Sequence, residues 1–188
     1  MKLSYSLPKP LLPYILLFYF SCICGWIWEV LMHWWIDDVT VSPIEIILHY
    51  RGVLQGPWVP LYGCGVLLLA AIWFVFRKNK LHIILVSILS CGILEYATGC
   101  VLETLFHKTY WDYTGFFFNI QGKICFISVF GFGIAGAAFT IFLMPRYLKL
   151  FEKLEKHFNR LLQKISLFLT LLFTVDCLYS ITQLILQR

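Results

Sequence analysis

Three glutamates, Glu29, Glu95 and Glu103, lie inside stretches of sequence that are otherwise almost entirely apolar. A carboxylate in the hydrocarbon of a bilayer costs at least about 2.5–3.5 kcal/mol, so such residues are rare and are functional candidates by default. In this setting a carboxyl group can bind a polar ligand, relay protons or pair with a buried basic side chain. These glutamates are therefore the first candidates for chemistry.

Glu95 and Glu103 belong to a row of residues spaced by four, which lies along one slowly drifting face of a helix. The row begins at Cys91, includes Gly99 and ends at His107. Because lipid would not accept this face, we expect it to point into the protein.

Two basic residues in the flanking loops, Arg51 and Lys123, could reach the glutamates, and the sequence predicts ion pairs between them. One interpretation is that these pairs are purely structural, and that they fix the helix register and hold the loops in place. Alternatively, they line a polar pocket that opens outward and binds a polar or zwitterionic ligand, and an unpaired Glu95 could relay protons. The residues leave both interpretations open. For Asp176, in a later apolar run, we expect a hydrogen bond between helices.

The composition is that of an integral membrane protein. Of the 188 residues, 60% are hydrophobic and 13% are charged, about half the charged share of a soluble domain, and the mean hydropathy is +0.80. The net charge of +5 is no sign of nucleic-acid binding, because in a membrane protein the position of the basic residues matters. We expect a single all-α membrane domain over residues 1–188.

Five apolar runs are each long enough to cross a bilayer, at about 11–36, 59–76, 81–106, 124–144 and 165–186. The first has no cleavage motif after it, so we interpret it as a retained helix rather than a signal. Most Lys and Arg residues fall near the N-terminus, at 77–80 and within 146–164, which predicts a cytoplasmic N-terminus and an external C-terminus. Residues 146–164 have the pattern of a basic amphipathic helix that rests on anionic lipid or docks a cytoplasmic partner.

Two outward loops would shape the site. The first, RGVLQGPWVPLYGCG at 51–65, has Gly and Pro residues that fix an irregular backbone, which membrane depth tolerates only beneath protein or beside a polar cavity. The second, at 110–123, mixes aromatic and polar residues with Lys123. The residues predicted to shape these loops are Gly52, Gly56, Pro57, Pro60, Tyr62, Gly63, Trp111, Tyr113 and Gly122.

Several function classes lack their motifs. The sequence has no P-loop pattern, no HExxH and no GxSxG, so an enzymatic role is less expected than a binding or transport role, and we expect no cofactor. The seven cysteines have no CxxC spacing and the five histidines do not cluster, so we expect neither a disulfide framework nor a metal site.

The loop and helix motifs together resemble the ABC-transporter type IV (CmpB-like) permease family over about residues 15–145. The resemblance rests on the first loop quoted above, on Glu95-Tyr96-Ala97-Thr98-Gly99 with Glu103 and Phe106, on Trp111-Asp112-Tyr113 with Asn119, Gly122 and Ile124-Cys125, and on Glu29 after Gly25. Two positions depart from the family pattern, since Lys123 stands where Arg is usual and Tyr50 where Asn is usual. Lysine cannot make the bidentate fork of arginine, so the pairing would differ in detail.

The resemblance implies a bacterial inner-membrane permease that needs a separate ATPase subunit and a second copy of itself. Our first hypothesis is a permease or solute-binding subunit in the lipid bilayer whose outward polar site uses Glu29, Arg51, Glu95, Glu103, Asp112, Asn119 and Lys123. The second is a membrane enzyme acting on lipid or envelope precursors, with Glu95 or Glu103 as acid/base and Arg51 as phosphate ligand. The third is an accessory or sensor subunit in which the ion pairs are structural.

Overall fold

The computed structural model describes residues 11–36 and 53–186, and this part of the chain is all-helical. Its α-helices are α1 (Leu12–Ile36), α2 (Pro60–Phe76), α3 (Lys80–Phe106), α4 (Phe126–Ala138) and α5 (Met144–Leu186). These ranges contain no strand, and only an isolated antiparallel bridge joins Ile120 to Ile124. Arg51, Gly52 and Tyr50 lie outside the described residues.

Local sequence explains where the helices begin and end. Pro60 occupies the first turn of α2, where its missing N–H costs nothing. Asn79 caps α3 by accepting a hydrogen bond from the His82 N–H at 3.2 Å. His107 ends α3 in the left-handed conformation, with φ of 53°. These boundaries agree with the apolar runs at 59–76 and 81–106 to within a residue or two.

The predicted boundary near residue 144 between the fourth run and the amphipathic helix is absent. A π-helical turn, Phe139–Leu143, joins α4 directly to α5. This wider turn comes just before Pro145, which lacks the N–H that an α-helix needs and would otherwise crowd the preceding turn. The chain therefore continues as one helical path from 126 to 186.

α5 bends at Phe158, whose φ of −128° and ψ of 21° are not helical. The Tyr147 hydroxyl donates to the Pro13 carbonyl at 2.6 Å, and the Tyr19 hydroxyl donates to Thr170 Oγ1 at 3.1 Å. Pro13 and Tyr19 are about 9 Å apart along α1, whereas a straight α5 would place Tyr147 and Thr170 about 35 Å apart. The bend allows both arms of α5 to contact α1. The sequence predicted one uninterrupted helix over 146–164.

Three clusters of apolar residues hold the helices together. The first joins α1, α2 and α5 around Leu17 and Met144, and the second joins α2, α3 and α4 around Leu69 and Ile83. The third packs Trp58 with the loop before α2 against α1 and α5. Where α3 meets α4, a Cβ on Gly133 would overlap the Ile88 backbone, so a small residue is needed for this close approach.

Large apolar side chains cover the outside of the bundle. On α3, Leu85, Leu89 and Ile93 follow helical spacing and are 57–63% exposed, while Glu95 on the opposite side is buried. Among the described residues, Leu12–Trp35, Lys80–Phe106 and the path Phe126–Leu186 are long and apolar enough to cross a membrane, and α2 is a shorter apolar helix of 17 residues. The apolar helices indicate a membrane protein.

Candidate functional site

Glu95 is the buried centre of the site, with 5% of its surface exposed. The Tyr113 hydroxyl donates to Glu95 Oε1 at 3.1 Å, and the Ser128 hydroxyl donates to Oε2 at 3.0 Å. The carboxylate thereby joins three segments: α3, the loop 107–125 and the first turn of α4. The prediction that this face of the third apolar run points into the protein is confirmed for Glu95.

The capping of α4 fixes the orientation of Ser128. Cys125 is the N-cap residue, and its backbone N–H donates to Ser128 Oγ at 3.1 Å, while the Ser128 N–H donates to Cys125 Sγ at 3.4 Å. This reciprocal capping box holds the hydroxyl beside Glu95. Ser128 was not among the residues predicted for the site, and the capping position before the fourth apolar run was the signal that could have found it.

A second carboxylate–tyrosine pair lies between α1 and α2. The Tyr62 hydroxyl donates to Glu29 Oε1 at 2.5 Å. A Cβ on Gly25 would overlap the Tyr62 ring, so glycine allows the tyrosine to pack against α1. We call these two hydrogen-bonded groups, Glu95 with Tyr113 and Ser128 and Glu29 with Tyr62, the deep cluster.

Lys123 and Glu103 form an ion pair at the C-terminal end of α3, with 2.6 Å between Lys123 Nζ and Glu103 Oε2. The lysine side chain is 15% exposed and the glutamate 56%. Gly99 gives the lysine stem room, since a Cβ there would lie 3.2–3.4 Å from three of its carbons. The hydrogen bond that the Lys123 ammonium group donates to Glu103 raises the pKa of Lys123. The predicted ion pairing is confirmed for these two residues.

The predicted ion pairs of the other two glutamates with Arg51 fall outside the described residues. Within those residues, the hydrogen-bond partners of Glu95 are hydroxyl groups, and the Tyr62 hydroxyl is a partner of Glu29. Among residues 11–36 and 53–186, hydroxyl groups therefore donate to the carboxylates of the deep cluster, whereas Glu103 pairs with a charged lysine.

The loop 107–125 is folded by its own polar groups. The Trp111 indole N–H donates to the Lys123 carbonyl at 2.8 Å. Asp112 accepts hydrogen bonds from the Thr114 N–H at 2.9 Å and from the Thr114 hydroxyl, and these bonds lower the pKa of Asp112. Asn119 donates to two carbonyls within the loop, at 2.9 and 3.1 Å. Asp112 and Asn119, both predicted site residues, thus stabilise the loop.

Gly122 has a structural reason to be glycine. Its φ is +66°, and a Cβ would lie 2.6 Å from Asp112 Oδ1 and 3.0 Å from Thr114 Oγ1. Its carbonyl accepts a hydrogen bond from the Tyr113 N–H at 2.8 Å. Glycine adopts this backbone conformation without strain, so the turn can bring Lys123 and Tyr113 onto the bundle together.

A cleft of about 190 Å³ lies between the end of α3 and this loop. It contains the Lys123–Glu103 pair, together with a second lysine and hydroxyl, amide and indole groups. Glu29, Glu95 and Asn119 do not line it, so the predicted single site divides into this cleft and the deep cluster. The lining residues are Gly99, Leu102, Glu103, Lys108, Thr109, Tyr110, Trp111, Asp112, Thr114, Gln121, Gly122 and Lys123.

Asp176 on α5 anchors the loop before α2. It accepts hydrogen bonds from the Gln55 N–H at 3.1 Å, the Gly56 N–H at 2.8 Å and the Trp58 indole N–H at 2.7 Å. The Ser180 hydroxyl is a fourth donor, at 3.0 Å. The sequence predicted a helix-to-helix hydrogen bond for Asp176, and its main partners are instead in this loop.

The other residues predicted to shape the first loop lie close to this anchor. A Cβ on Gly56 would collide with the Trp58 indole and approach Asp176, and one on Gly63 would collide with Cys22 and Phe18. Pro57 is exposed in the loop. The Val59 N–H donates to the Cys22 carbonyl at 3.0 Å, which ties the start of α2 to α1.

The described residues contain no group of three or more His, Cys, Asp or Glu side chains that could hold a metal ion. An all-helical membrane protein with paired carboxylates between its helices is the class that this fold and site define. A family model described as "Putative ABC-transporter type IV" matches residues 16–181, and the chain belongs to this family. No curated protein and no solved structure matches the chain.

Proposed function

We propose that the chain is a permease or solute-binding membrane subunit of a transporter and that it takes up a small polar solute in the cleft between α3 and the loop 107–125. In this proposal five helices cross a bacterial inner membrane and the cleft faces outward. Membership of the family supports a transport role. The observation that carries the proposal is an ion pair that lies in an open cleft rather than in the core.

The Lys123–Glu103 pair suits an exchange of partners. An ammonium group has three N–H donors, and the ion pair uses one of them, so Lys123 can also bind an incoming carboxylate. Glu103 is more than half exposed, so an incoming ammonium group can reach it. A zwitterionic solute would therefore replace one internal pair with two new ones, at little cost in unpaired charge.

The size of the cleft limits the solute. Its volume of about 190 Å³ is below the range of about 300–1,000 Å³ for sites that hold drug-sized ligands. The cleft is lined by charged and hydroxyl groups more than by large apolar surfaces. We therefore propose a solute with few heavy atoms and both signs of charge, of the size of a small amino acid.

Transport would require further components. The sequence has no P-loop, so ATP hydrolysis would come from a separate subunit, and a second copy of this chain would complete the pathway. Pull-down of the chain from native membranes should then recover an ATPase in stoichiometric amount.

Ligand-dependent thermal stability tests the cleft directly. The purified chain in nanodiscs is heated with glycine, with other small zwitterions and, for comparison, with chloride or acetate salts. A ligand at 100 times its dissociation constant stabilises the folded state by about 2.7 kcal/mol. We expect a zwitterion to raise the melting temperature of the wild type and of Lys123→Arg, but not of Lys123→Met. Lys164→Met, far along α5, is the matched control and should respond as the wild type does.

An accessory subunit with structural ion pairs is the second candidate. It is favoured by the internal hydrogen bonds of Asp112 and Asn119, which hold the loop and do not point to a ligand. If no zwitterion stabilises the wild type, or if Lys123→Met responds equally, the cleft is not a solute site. Failure to recover any ATPase would then leave the accessory role as the better explanation.

A further inference from the structure

Six basic side chains form one stripe along α5. In the arm before the bend they are spaced by three or four residues, and the two that follow the bend are four residues apart, so each arm carries them on a single face. All six are exposed. This basic stripe consists of Arg146, Lys149, Lys153, Lys156, Arg160 and Lys164.

A stripe of large apolar side chains runs beside it. These side chains also follow spacings of three and four, and they remain 38–56% exposed although they are Leu, Phe and Ile. A third face of the first arm packs on the bundle through Leu148 and Phe151, which are 4% and 5% exposed. The apolar stripe consists of Leu150, Leu154, Phe158, Leu161 and Ile165.

The two stripes together favour a partner that is both apolar and negatively charged. Glu152 and Glu155 offset part of the basic charge, but six basic and two acidic residues leave residues 146–165 with a net charge of +4 (6 − 2). A contiguous apolar surface is costly in water, and the remaining basic groups repel one another unless further anions lie beside them. The surface of an anionic bilayer meets both needs, since acyl chains accept the apolar stripe while headgroup phosphates accept the lysines. Long basic side chains reach the headgroup level while their stems stay among the acyl chains.

The position of the stripes also favours lipid. The first arm continues directly from the apolar helix α4 through the π-helical turn, and the second arm continues into the apolar residues 166–186. The turn between α2 and α3, with Arg77, Lys78 and Lys80, lies at the same end of the bundle because Phe76 and Ile84 join the cluster that contains Phe139 and Ile141. We infer that residues 146–165 lie on the bilayer surface and bind the headgroups of anionic lipids.

Spin-labelled lipids test this inference on the full chain. The chain is reconstituted in phosphatidylcholine with trace spin-labelled phosphatidylglycerol or phosphatidylcholine, and electron paramagnetic resonance gives the relative association of each lipid with the protein. We expect the wild type to prefer phosphatidylglycerol at low salt and less so at high salt. A basic residue near an anionic surface contributes up to about five-fold in association, so Lys153→Gln should lower the preference by up to that factor.

Matched variants separate a lipid site from a general charge effect. Lys108→Gln removes one positive charge at the other end of α3 from the turn that contains Arg77, Lys78 and Lys80. It should leave the preference for phosphatidylglycerol within error of the wild-type value. The triple variant Lys149→Gln, Lys153→Gln, Lys156→Gln should lose most of the preference, and its unchanged circular dichroism would show that the helix persists. Equal preference in the triple variant and the wild type would overturn the inference.

Hydrogen exchange gives an independent readout. Amides of 146–165 should exchange more slowly in nanodiscs that contain phosphatidylglycerol than in phosphatidylcholine alone, and the triple variant should lose this difference. If slower exchange appears only when a soluble protein from the same cells is added, the stripes bind a protein partner and the inference is wrong.

Discussion

Replacement of Asp176 by Ala should loosen the loop before α2 and lower the stability of the whole bundle. The aspartate is the common acceptor for the Gly56 and Trp58 N–H groups, at 2.8 and 2.7 Å. Trp58 is 7% exposed, so its indole N–H has little access to water once the acceptor is gone. The exposed Gln55 N–H, by contrast, can bond to solvent and adds little to the cost.

The magnitude follows from the two N–H groups that lose their partner. A buried donor without an acceptor costs about 1–3 kcal/mol, so the loss from both is about 3–4 kcal/mol when the partial exposure of Gly56 is considered. For a chain of this length that corresponds to a fall of about 10 °C in melting temperature. Asp176→Asn should cost much less, because the Gly56 and Trp58 N–H groups both donate to Oδ2 and an amide carbonyl at that position can accept both.

Cys22 offers a local probe for the assay. Its thiol is fully buried in the same apolar cluster as Leu54 and Trp58. A thiol-reactive fluorophore added during heating reports exposure of Cys22 together with that of the less exposed Cys91, Cys100, Cys125 and Cys177. The same measurement on Cys22→Ala identifies the part of the signal that comes from the opening of this loop.

Thr174→Ala provides the matched control on the same helix. The Thr174 side chain is exposed, and its hydroxyl donates to the Thr170 carbonyl within the helix at 2.7 Å, so its loss should change stability by less than about 0.5 kcal/mol. A melting temperature for Asp176→Ala within error of the Thr174→Ala value would refute the reasoning. Non-additive effects of Asp176→Ala and Trp58→Phe in a double-mutant cycle would support it.

Three further predictions concern the loop 107–125. Tyr113→Phe removes a donor to the buried carboxylate of Glu95 and should cost about 1–2 kcal/mol in thermal unfolding, whereas an unchanged melting temperature would mean that this bond is not formed. Gly122→Ala should lower the free energy of unfolding by about 1–2 kcal/mol because Gly122 has a positive φ. Gly115→Ala is the control, because its Cβ would meet no atom within 4 Å and should leave stability unchanged. Equal effects of the two substitutions would contradict the explanation. Because the pKa of Lys123 is raised, its ion pair contributes stability that is present below the ordinary lysine pKa and is lost as the pH rises through the raised value. The wild type should therefore lose stability at alkaline pH more steeply than Lys123→Gln. Parallel curves of stability against pH for the two proteins would count against the pair.

The helices could be predicted because their signals are local. Apolar runs, the capping residue Asn79 and the proline at 60 each act within a few residues, and they gave the ends of α2 and α3 to within a residue or two. The bend at Phe158 has no comparable signal in its neighbours. It is associated with contacts of both arms to α1, which connect residues more than 130 positions apart.

The polar partners of the site were harder to predict than its charges. Opposite charge predicted the pair of Lys123 with Glu103, because few basic residues lie near the third apolar run. Glu95, however, is held by two hydroxyl groups, and tyrosine and serine are too common in this sequence to stand out. Two of the partners of Asp176 are backbone N–H groups some 120 residues earlier, which no residue type reveals.

Tyr113 lies between two residues that line the cleft, Asp112 and Thr114, and also contacts the buried carboxylate of Glu95. Its backbone N–H bonds to the Gly122 carbonyl at 2.8 Å, and its hydroxyl reaches Glu95 at 3.1 Å. Because Gly122 directly precedes Lys123, a solute that drew the lysine away from Glu103 would also displace the Gly122 carbonyl, which holds Tyr113. A ligand shifts a conformational equilibrium only through contacts that differ between the two states, and under the proposed function the Tyr113–Glu95 bond would be such a contact. Under the proposed function, occupancy of the cleft would thus reach the interior through this tyrosine.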